Sequence, residues 1–216
     1  MAQLRIGCVV MAAGNARRFG ENKLAVQVQG KALFHRALEA VPADQFVRTV
    51  VVSQYPEVLE LAHRMGFVPV PNRHPDWGIS HTISLGLGKL PEMDAALFQV
   101  ADQPLLRRET VEAMTALFCR EQPSPTEWQK ETEREIFRLG AVAENDPAPL
   151  VGSPVLFGSS FFPELLTLPE NKGGNILLKK YPAQVRTVCI ADSAELLDAD
   201  TPEVLQQLEA LARQKS

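Results

Sequence analysis

The sequence predicts an α/β fold in three layers, with a mainly parallel β-sheet covered by helices on both faces. Three observations predict it. Short apolar runs alternate with segments of helical periodicity from Ile6 to Arg120, and strand–helix–strand repeats build a parallel sheet through right-handed crossovers. The runs are apolar along their length, as in strands buried on both faces. Polar, glycine-bearing segments follow directly after strands, where ligands bind in such sheets.

Each element has its own signal. Ile6-Gly-Cys-Val-Val-Met11 reads as the first strand, followed by a loop from Ala12 to about Asn22. Ala32 to Val41 carries Leu33, Phe34, Ala37, Leu38 and Val41 at helical spacing, and Pro42 ends it. Val47 to Val52 is a β-branched second strand. Pro56 opens a helix with Val58, Leu59, Leu61, Ala62 and Met65, and Gly66 stops it. Phe67 to Val70 reads as a third strand, Pro71 to Gly78 as a polar loop, and Ile79 to Leu90 as a helix. Ala95 to Ala101 is a buried strand that runs into Asp102-Gln-Pro104, and Glu109 to Arg120 is helical.

Residues 121–135 change composition and read as a loop excursion. Ile136 to Val142 and Pro154 to Phe157 read as strands, with Asp146-Pro-Ala-Pro149 as a turn between them. Phe161 to Leu168 and Gly174 to Tyr181 are short helices, Val185 to Ile190 a late strand, and Glu203 to Arg213 an amphipathic closing helix. There is no internal repeat or low-complexity tract, and residues 1–216 are expected to form a single domain.

Composition narrows the function classes. With 45% apolar and 22% charged residues over 216 positions, the chain can bury a core large enough to shape a cleft. A net charge of −4 argues against a broad nucleic-acid or anionic-membrane surface, which needs an excess of Lys and Arg. The three cysteines, Cys8, Cys119 and Cys189, are far apart and form no metal or disulfide pattern. Cys8 and Cys189 lie in apolar runs and read as buried thiols. The run Ile6 to Ala13 is too short to span a membrane and lacks a signal-peptide cleavage pattern. The expected compartment is therefore the reducing cytoplasm.

Four segments carry chemistry. Met11-Ala-Ala-Gly-Asn-Ala-Arg-Arg-Phe-Gly-Glu-Asn-Lys23 follows the first strand. Its glycines, arginines and Lys23 suit a phosphate-binding nest, but also a plain glycine turn with surface charges. The spacing fits neither a Walker A loop nor G-x-G-x-x-G. Asp102, at the carboxyl end of an apolar strand, suits Mg²⁺ and phosphate oxygens, or caps a turn before Pro104. Asp198-Ala-Asp-Thr-Pro202 can supply a second acidic ligand, or Asp200 or Thr201 can cap the last helix. Gly78-Ile-Ser-His-Thr82 opens a helix and suits a polar ligand, or Ser80 caps that helix. His81 reads as solvent-facing or structural, and Lys172-Gly-Gly174 as a turn.

In this order and spacing, Met11-Ala-Ala-Gly14 with Arg18, Gly20 and Lys23, Gly78-Ile-Ser-His-Thr82, Ala-Asp102-Gln-Pro104, Gly152-Ser-Pro-Val-Leu-Phe157 and Asp198-Ala-Asp-Thr-Pro202 resemble the MobA-like nucleotidyltransferases. The resemblance is greatest to the MocA-type molybdenum cofactor cytidylyltransferases and covers nearly the whole chain. It implies a Rossmann-like fold of the nucleotide-diphospho-sugar transferase type. In that family Ala12, Ala13 and Gly14 would hold base and ribose, and Gly78 and Ser80 would lie near the nucleoside. Arg18 and Lys23 would contact phosphates and act in catalysis. Asp102 would bind Mg²⁺, and Asp200 would be the second metal ligand, with Asp198 as its alternative.

The Ala-Ala-Gly form of the first loop goes with CTP in the family, and forms with a second glycine go with GTP. The resemblance implies transfer of CMP from CTP to the terminal phosphate of molybdopterin, with a molybdoenzyme of the xanthine dehydrogenase type as downstream partner. The chain also departs from the family. Glu144 to Val151 is acidic and Pro-rich where a basic glycine-rich turn is common, and Ser153 stands at a His position. That region would face the acceptor. A GTP enzyme, a sugar or alditol phosphate acceptor, and a non-catalytic cofactor-handling module therefore stay open.

Overall fold

Residues 4–14, 22–121, 135–143 and 146–214 are described by a computed structural model of the chain. The first apolar run forms β1 (Ile6–Ala12) at the centre of a seven-stranded sheet. It pairs in parallel with β4 (Arg48–Ser53) on one side and β6 (Ala95–Val100) on the other. A two-residue hairpin, β2 (Gln27–Val28) and β3 (Lys31–Ala32), precedes β4. Beyond β4 lies β5 (Val68–Pro71), also parallel. On the far side, β8 (Asp146–Gly158) runs antiparallel to β6 and to β7 (Ile136–Ala143), and β9 (Val185–Ile190) pairs in parallel with β7 at the edge. The sheet order is β5-β4-β1-β6-β8-β7-β9.

Alternate residues of β1 face two separate cores, which explains why the strand is apolar throughout. Cys8 and Val10 pack with Phe34 and Leu38 of α1 (Leu33–Glu39), Val58 of α2 (Pro56–Arg64) and Met114 of α4 (Arg108–Glu121). Val9 packs on the opposite face. Its neighbours there are Ile83 of α3 (Gly78–Leu87), Leu165 of α5 (Phe162–Leu166) and Leu177 of α6 (Asn175–Lys180). Each fully buried Leu, Ile or Phe in these layers contributes about 2 kcal/mol of transfer free energy. The last helix, α7 (Pro202–Gln214), buries Leu208 and Ala212 against Val28 and Leu33. Among the described residues no helix is long and apolar enough to cross a membrane.

The structure corrects several expectations. Asp146 to Pro149 is not a turn but the start of β8. β6 pairs only with Val155–Gly158 of that strand, so the Pro-bearing part has β7 alone as neighbour. A missing proline N–H is tolerated on such a one-sided stretch. The Gln27–Ala32 hairpin was not expected; its turn places Gln29 and Gly30 at φ of 50° and 70°. The third strand is shifted one residue, to Val68–Pro71, and a 3-10 turn, Pro75–Trp77, occupies the loop after it. The α3 helix starts at Gly78 and ends three residues short of Leu90. Cys189 is exposed rather than buried, because β9 is an edge strand. Most of the 121–135 excursion lies outside the described residues.

Candidate functional site

The loop after β1 is held by the carboxyl end of β4. Ser53 Oγ donates to the Ala12 carbonyl at 2.8 Å, Gln54 Nε2 to the Ala13 carbonyl at 3.1 Å, and Tyr55 Oη to the Gly14 carbonyl at 3.1 Å. The carbonyls are thus occupied, while the N–H groups of Ala13 and Gly14 have no protein partner among the described residues. Among the described residues, a Cβ built on Gly14 meets no protein atom within 4 Å, which leaves room for a ligand beside it. Ala12, Ala13 and Gly14 line a cavity of about 350 Å³ together with Lys23, Gly78 and Asp102. Arg18 and Gly20 lie outside the described residues.

Lys23 sits in a 3-10 turn, Lys23–Ala25, that Asn22 opens by accepting a hydrogen bond from Leu24 N at 3.0 Å. Its Nζ lies 2.7 Å from Asp102 Oδ2 and 2.8 Å from Asp200 Oδ1. Burial acts to lower the Lys23 pKa, but the two carboxylates outweigh it and the net direction is upward. Asp102 follows β6, and its carbonyl accepts from Ala199 N at 2.9 Å. The start of α7 is capped by Thr201 Oγ1, which accepts from Val204 N at 3.3 Å. With the cap supplied by Thr201, the Asp200 carboxylate reaches Lys23.

Asp198 turns instead toward a second cavity. Loss of water around its carboxyl, then the nearby Asp102 charge, push its pKa up to about 6, with a smaller push from Asp200; hydrogen bonding with Gln103 and the Lys23 charge oppose them. The residue as a whole is exposed and lines this cavity; the loss of water is local to its carboxyl, and the neighbouring carboxylates push in the same direction.

The donor set fits a hard divalent cation. Asp102 and Asp200 each present one oxygen to the same cationic position, which the Lys23 ammonium takes up. No group of three or more His, Cys, Asp or Glu suited to a metal is present among the described residues. Mg²⁺ does not require one, since it keeps waters and binds through one or two carboxylates plus substrate phosphates.

At the start of α3, Gly78 has φ of 81° and lines the smaller cavity. A side chain there would collide with Asn171, so only glycine fits. Ser80 falls inside the first turn, neither caps α3 nor lines either cavity. Thr82, one place beyond His81, lines the smaller cavity instead and accepts from Asn72 Nδ2 at 3.3 Å. His81 packs edge-on against Trp77, with ring centres 4.8 Å apart, and Trp77 stacks on His74 at 4.2 Å.

The second cavity is larger, about 520 Å³, and shares Met11, Ile79 and Val100 with the first. Phe98, Phe157 and Leu178 are among its apolar lining residues; Gln103, Arg138, Ser153, Asn175, Lys179 and Asp198 are its polar ones. Ser153 Oγ accepts from Val100 N at 3.1 Å and donates to the Phe98 carbonyl at 3.4 Å, joining β8 to β6. Leu150 to Ser153, the end of the segment that departs from the family pattern, form part of the wall. Thr82, Gln103, Arg138 and Lys179 were not singled out in the sequence. Arg138 carried a signal, a lone charge inside an apolar strand; Thr82 and Gln103 lay within quoted motifs.

The family model described as MobA-like NTP transferase domain matches residues 8–185. The purine catabolism protein PucB of Bacillus subtilis (strain 168) is 27% identical over 212 residues, 90% of this chain and 91% of PucB. Rv0371c of Mycobacterium tuberculosis H37Rv superimposes with a TM-score of 0.74 at 18% identity, covering 97% of this chain and 100% of the other. Its manganese complex superimposes with a TM-score of 0.68 at 19% identity, covering 95% and 98%. CMP:2-keto-3-deoxy-manno-octonic acid synthetase complexed with CTP gives 0.69 at 16% identity, covering 98% and 100%. At these identities the structural likeness is one of fold.

Proposed function

The chain belongs to the MobA-like NTP transferase domain family, and on that premise we propose that it transfers CMP from CTP to the terminal phosphate of molybdopterin, releasing pyrophosphate with Mg²⁺ held by Asp102 and Asp200. The observation that carries this reading is the Lys23 ammonium shared by Asp102 and Asp200. Asp102 lines the smaller cavity, and its neighbour Asp198 lines the larger one. The charged cluster thus stands between a site for the nucleotide and a site for the acceptor.

The chemistry needs little from the protein beyond placement. The second pKa of a phosphate monoester is about 6, so the acceptor is largely dianionic at neutral pH and attacks without a side-chain base. An acceptor oxygen bonds to the α-phosphorus while the α–β bridge bond breaks and its electrons leave on pyrophosphate. The protein aligns the two oxygens and neutralises charge. Free N–H groups of Ala13 and Gly14 hold the nucleotide, and Lys23, with Arg18 on the same loop, holds the phosphates that leave. When bound, Mg²⁺ supplies charge neutralisation on the triphosphate oxygens.

CTP is supported by the Ala12-Ala13-Gly14 loop and by the CTP complex of one structural neighbour. A divalent metal is supported by the manganese complex of another. PucB is named for purine catabolism, and xanthine is a purine; this supports a xanthine dehydrogenase-type molybdoenzyme as recipient. The three free cysteines fit a reducing cytoplasm. One continuous sheet carries both cavities, which supports a single domain over residues 1–216.

The test is pyrophosphate release with CTP, GTP or ATP, each with Mg²⁺ and molybdopterin. Release with CTP alone is the expected result. Release with GTP would move the chain to guanylyl transfer. Silence with all three would discard molybdopterin, and sugar and alditol phosphates would be assayed next.

A further inference from the structure

We propose that Gln103 and Arg138 form a two-point recognition site for the acceptor, fitted to a phosphate monoester that carries a hydrogen-bond donor beside its phosphate. The inference rests on the reading above that the larger cavity takes the acceptor.

Gln103 is 2% exposed yet lines that cavity. Its Nε2 donates to the Leu196 carbonyl at 3.4 Å. That acceptor calls for the amide nitrogen, which fixes the amide's orientation. Its Oε1 is then left buried with no partner. A buried acceptor without a donor is costly and uncommon in folded proteins. Gln99 Oε1 is also unpartnered, but Gln99 lines neither cavity. What sets Gln103 apart is that it belongs to the wall of the larger cavity, where a small side-chain shift would let a ligand supply the missing donor.

Arg138 provides the second point. It lies in β7 between Phe137 and Leu139, which both belong to the core packed by α1, α2 and α4. Alternation along the strand therefore puts Arg138 on the opposite face, the cavity side. Its Nε donates to Thr187 Oγ1 at 3.1 Å, which steadies the guanidinium. Among the described residues no carboxylate lies within ion-pair distance of it, and an anion in this cavity would meet a planar guanidinium. Lys179 adds an exposed cation to the same wall. Gln103 and Arg138 line the same cavity, so one acceptor can meet both.

Gln103→Leu and Arg138→Gln test this against the unaltered chain, with folding checked by thermal unfolding. CTP binding with Mg²⁺ and without acceptor is measured by calorimetry, and the KM for molybdopterin by pyrophosphate release. The expected result is a rise of about tenfold or more in that KM for each variant, with CTP affinity unchanged. An unchanged KM, or an equal loss of CTP affinity, would overturn the assignment. If Gln103→Leu fails to fold, the Arg138→Gln result decides. If the unaltered chain is inactive with molybdopterin, the functional reading fails instead. Inorganic phosphate binding, followed by ³¹P line broadening, is then compared between that chain and Arg138→Gln. Loss in the variant retains the anion site, and equal binding removes it.

Discussion

Lys23 and Asp200, 177 positions apart in the chain, meet at 2.8 Å, and the same ammonium lies 2.7 Å from Asp102. Lys23→Ala therefore leaves two carboxylates without their shared cation and, on the proposed function, removes a phosphate contact. We expect weaker CTP binding and lower turnover, read as a higher Kd and a lower kcat. An unchanged CTP response would remove Lys23 from the site. Because the folded-state pKa of Lys23 is raised, its stabilisation is fully present below the unfolded value of 10.5 and is lost as pH rises through the folded one. Denaturant unfolding from pH 9 upward should show this loss, and Lys23→Ala should lack it.

Asp102→Ala is expected to lower turnover by roughly 10²-fold or more, the scale of losing a major electrostatic element. Steady-state pyrophosphate release reads this. Near-normal activity across a Mg²⁺ titration would end the assignment of Asp102 as metal ligand.

Ala13→Gly should shift base preference. Ala13 is 4% exposed and lines the smaller cavity, so losing its methyl enlarges the site without opening the core. The expected change is about tenfold in the GTP-to-CTP ratio of kcat/KM, the scale of a single methylene in a pocket. A ratio that stays put would show that the loop does not select the base.

Asp198 makes the fold pH-dependent in the opposite sense to a salt-bridged acid. Its pKa is raised from 3.8 to about 6, so the folded state holds the proton more tightly than the unfolded chain. The stabilisation is present below 3.8 and is lost as pH rises through about 6. Without metal or nucleotide, Asp198→Asn should therefore raise Tm at pH 8 and leave it nearly unchanged at pH 4. Equal effects at both pH values would contradict the assignment.

Glu195 is fully buried and is reached by Arg107 through Nη2 at 2.6 Å, Nε at 2.9 Å and backbone N at 3.0 Å. Arg107→Ala keeps only the backbone bond and leaves a buried carboxylate short of donors. Removing one partner of a buried pair costs about 3–5 kcal/mol. Since the Arg107 side chain is 56% exposed and solvent screens it, we expect about 2 kcal/mol by urea unfolding, with a charged hydrogen bond as the floor. A loss under about 0.5 kcal/mol, the size of an ordinary surface change, would show that the pair does not anchor this end of the sheet.

Legibility in the sequence followed burial. β1, β4 and β6 were visible because both of their faces are covered, and α1, α2 and α7 because each has one covered face. The β2–β3 hairpin was not, since Gln29-Gly30 lacks the Asn-Gly or Asp-Gly signature that usually marks two positive-φ positions. The length of β8 was hidden by Pro147 and Pro149, which read as turn residues until the missing neighbour on one side is known. Lys23 and Asp102 could be picked out because each follows a strand. Local sequence did not separate Asp198 from Asp200, and only the resemblance put Asp200 first; the structure adds Thr201 as the cap and Lys23 as the partner of Asp200. Gln103 was hidden because an orphaned amide oxygen is a property of packing.

The Ala199–Asp102 hydrogen bond and the Lys23–Asp200 pair tie the final helix to the first half of the sheet. A chain emerging from a ribosome exposes the Ala12–Gly14 loop and Asp102 long before Asp200 is made. The first loop and Asp102 can thus take their places in the sheet while the Lys23–Asp200 pair is still unmade, and that pair closes only after residue 200 has left the ribosome.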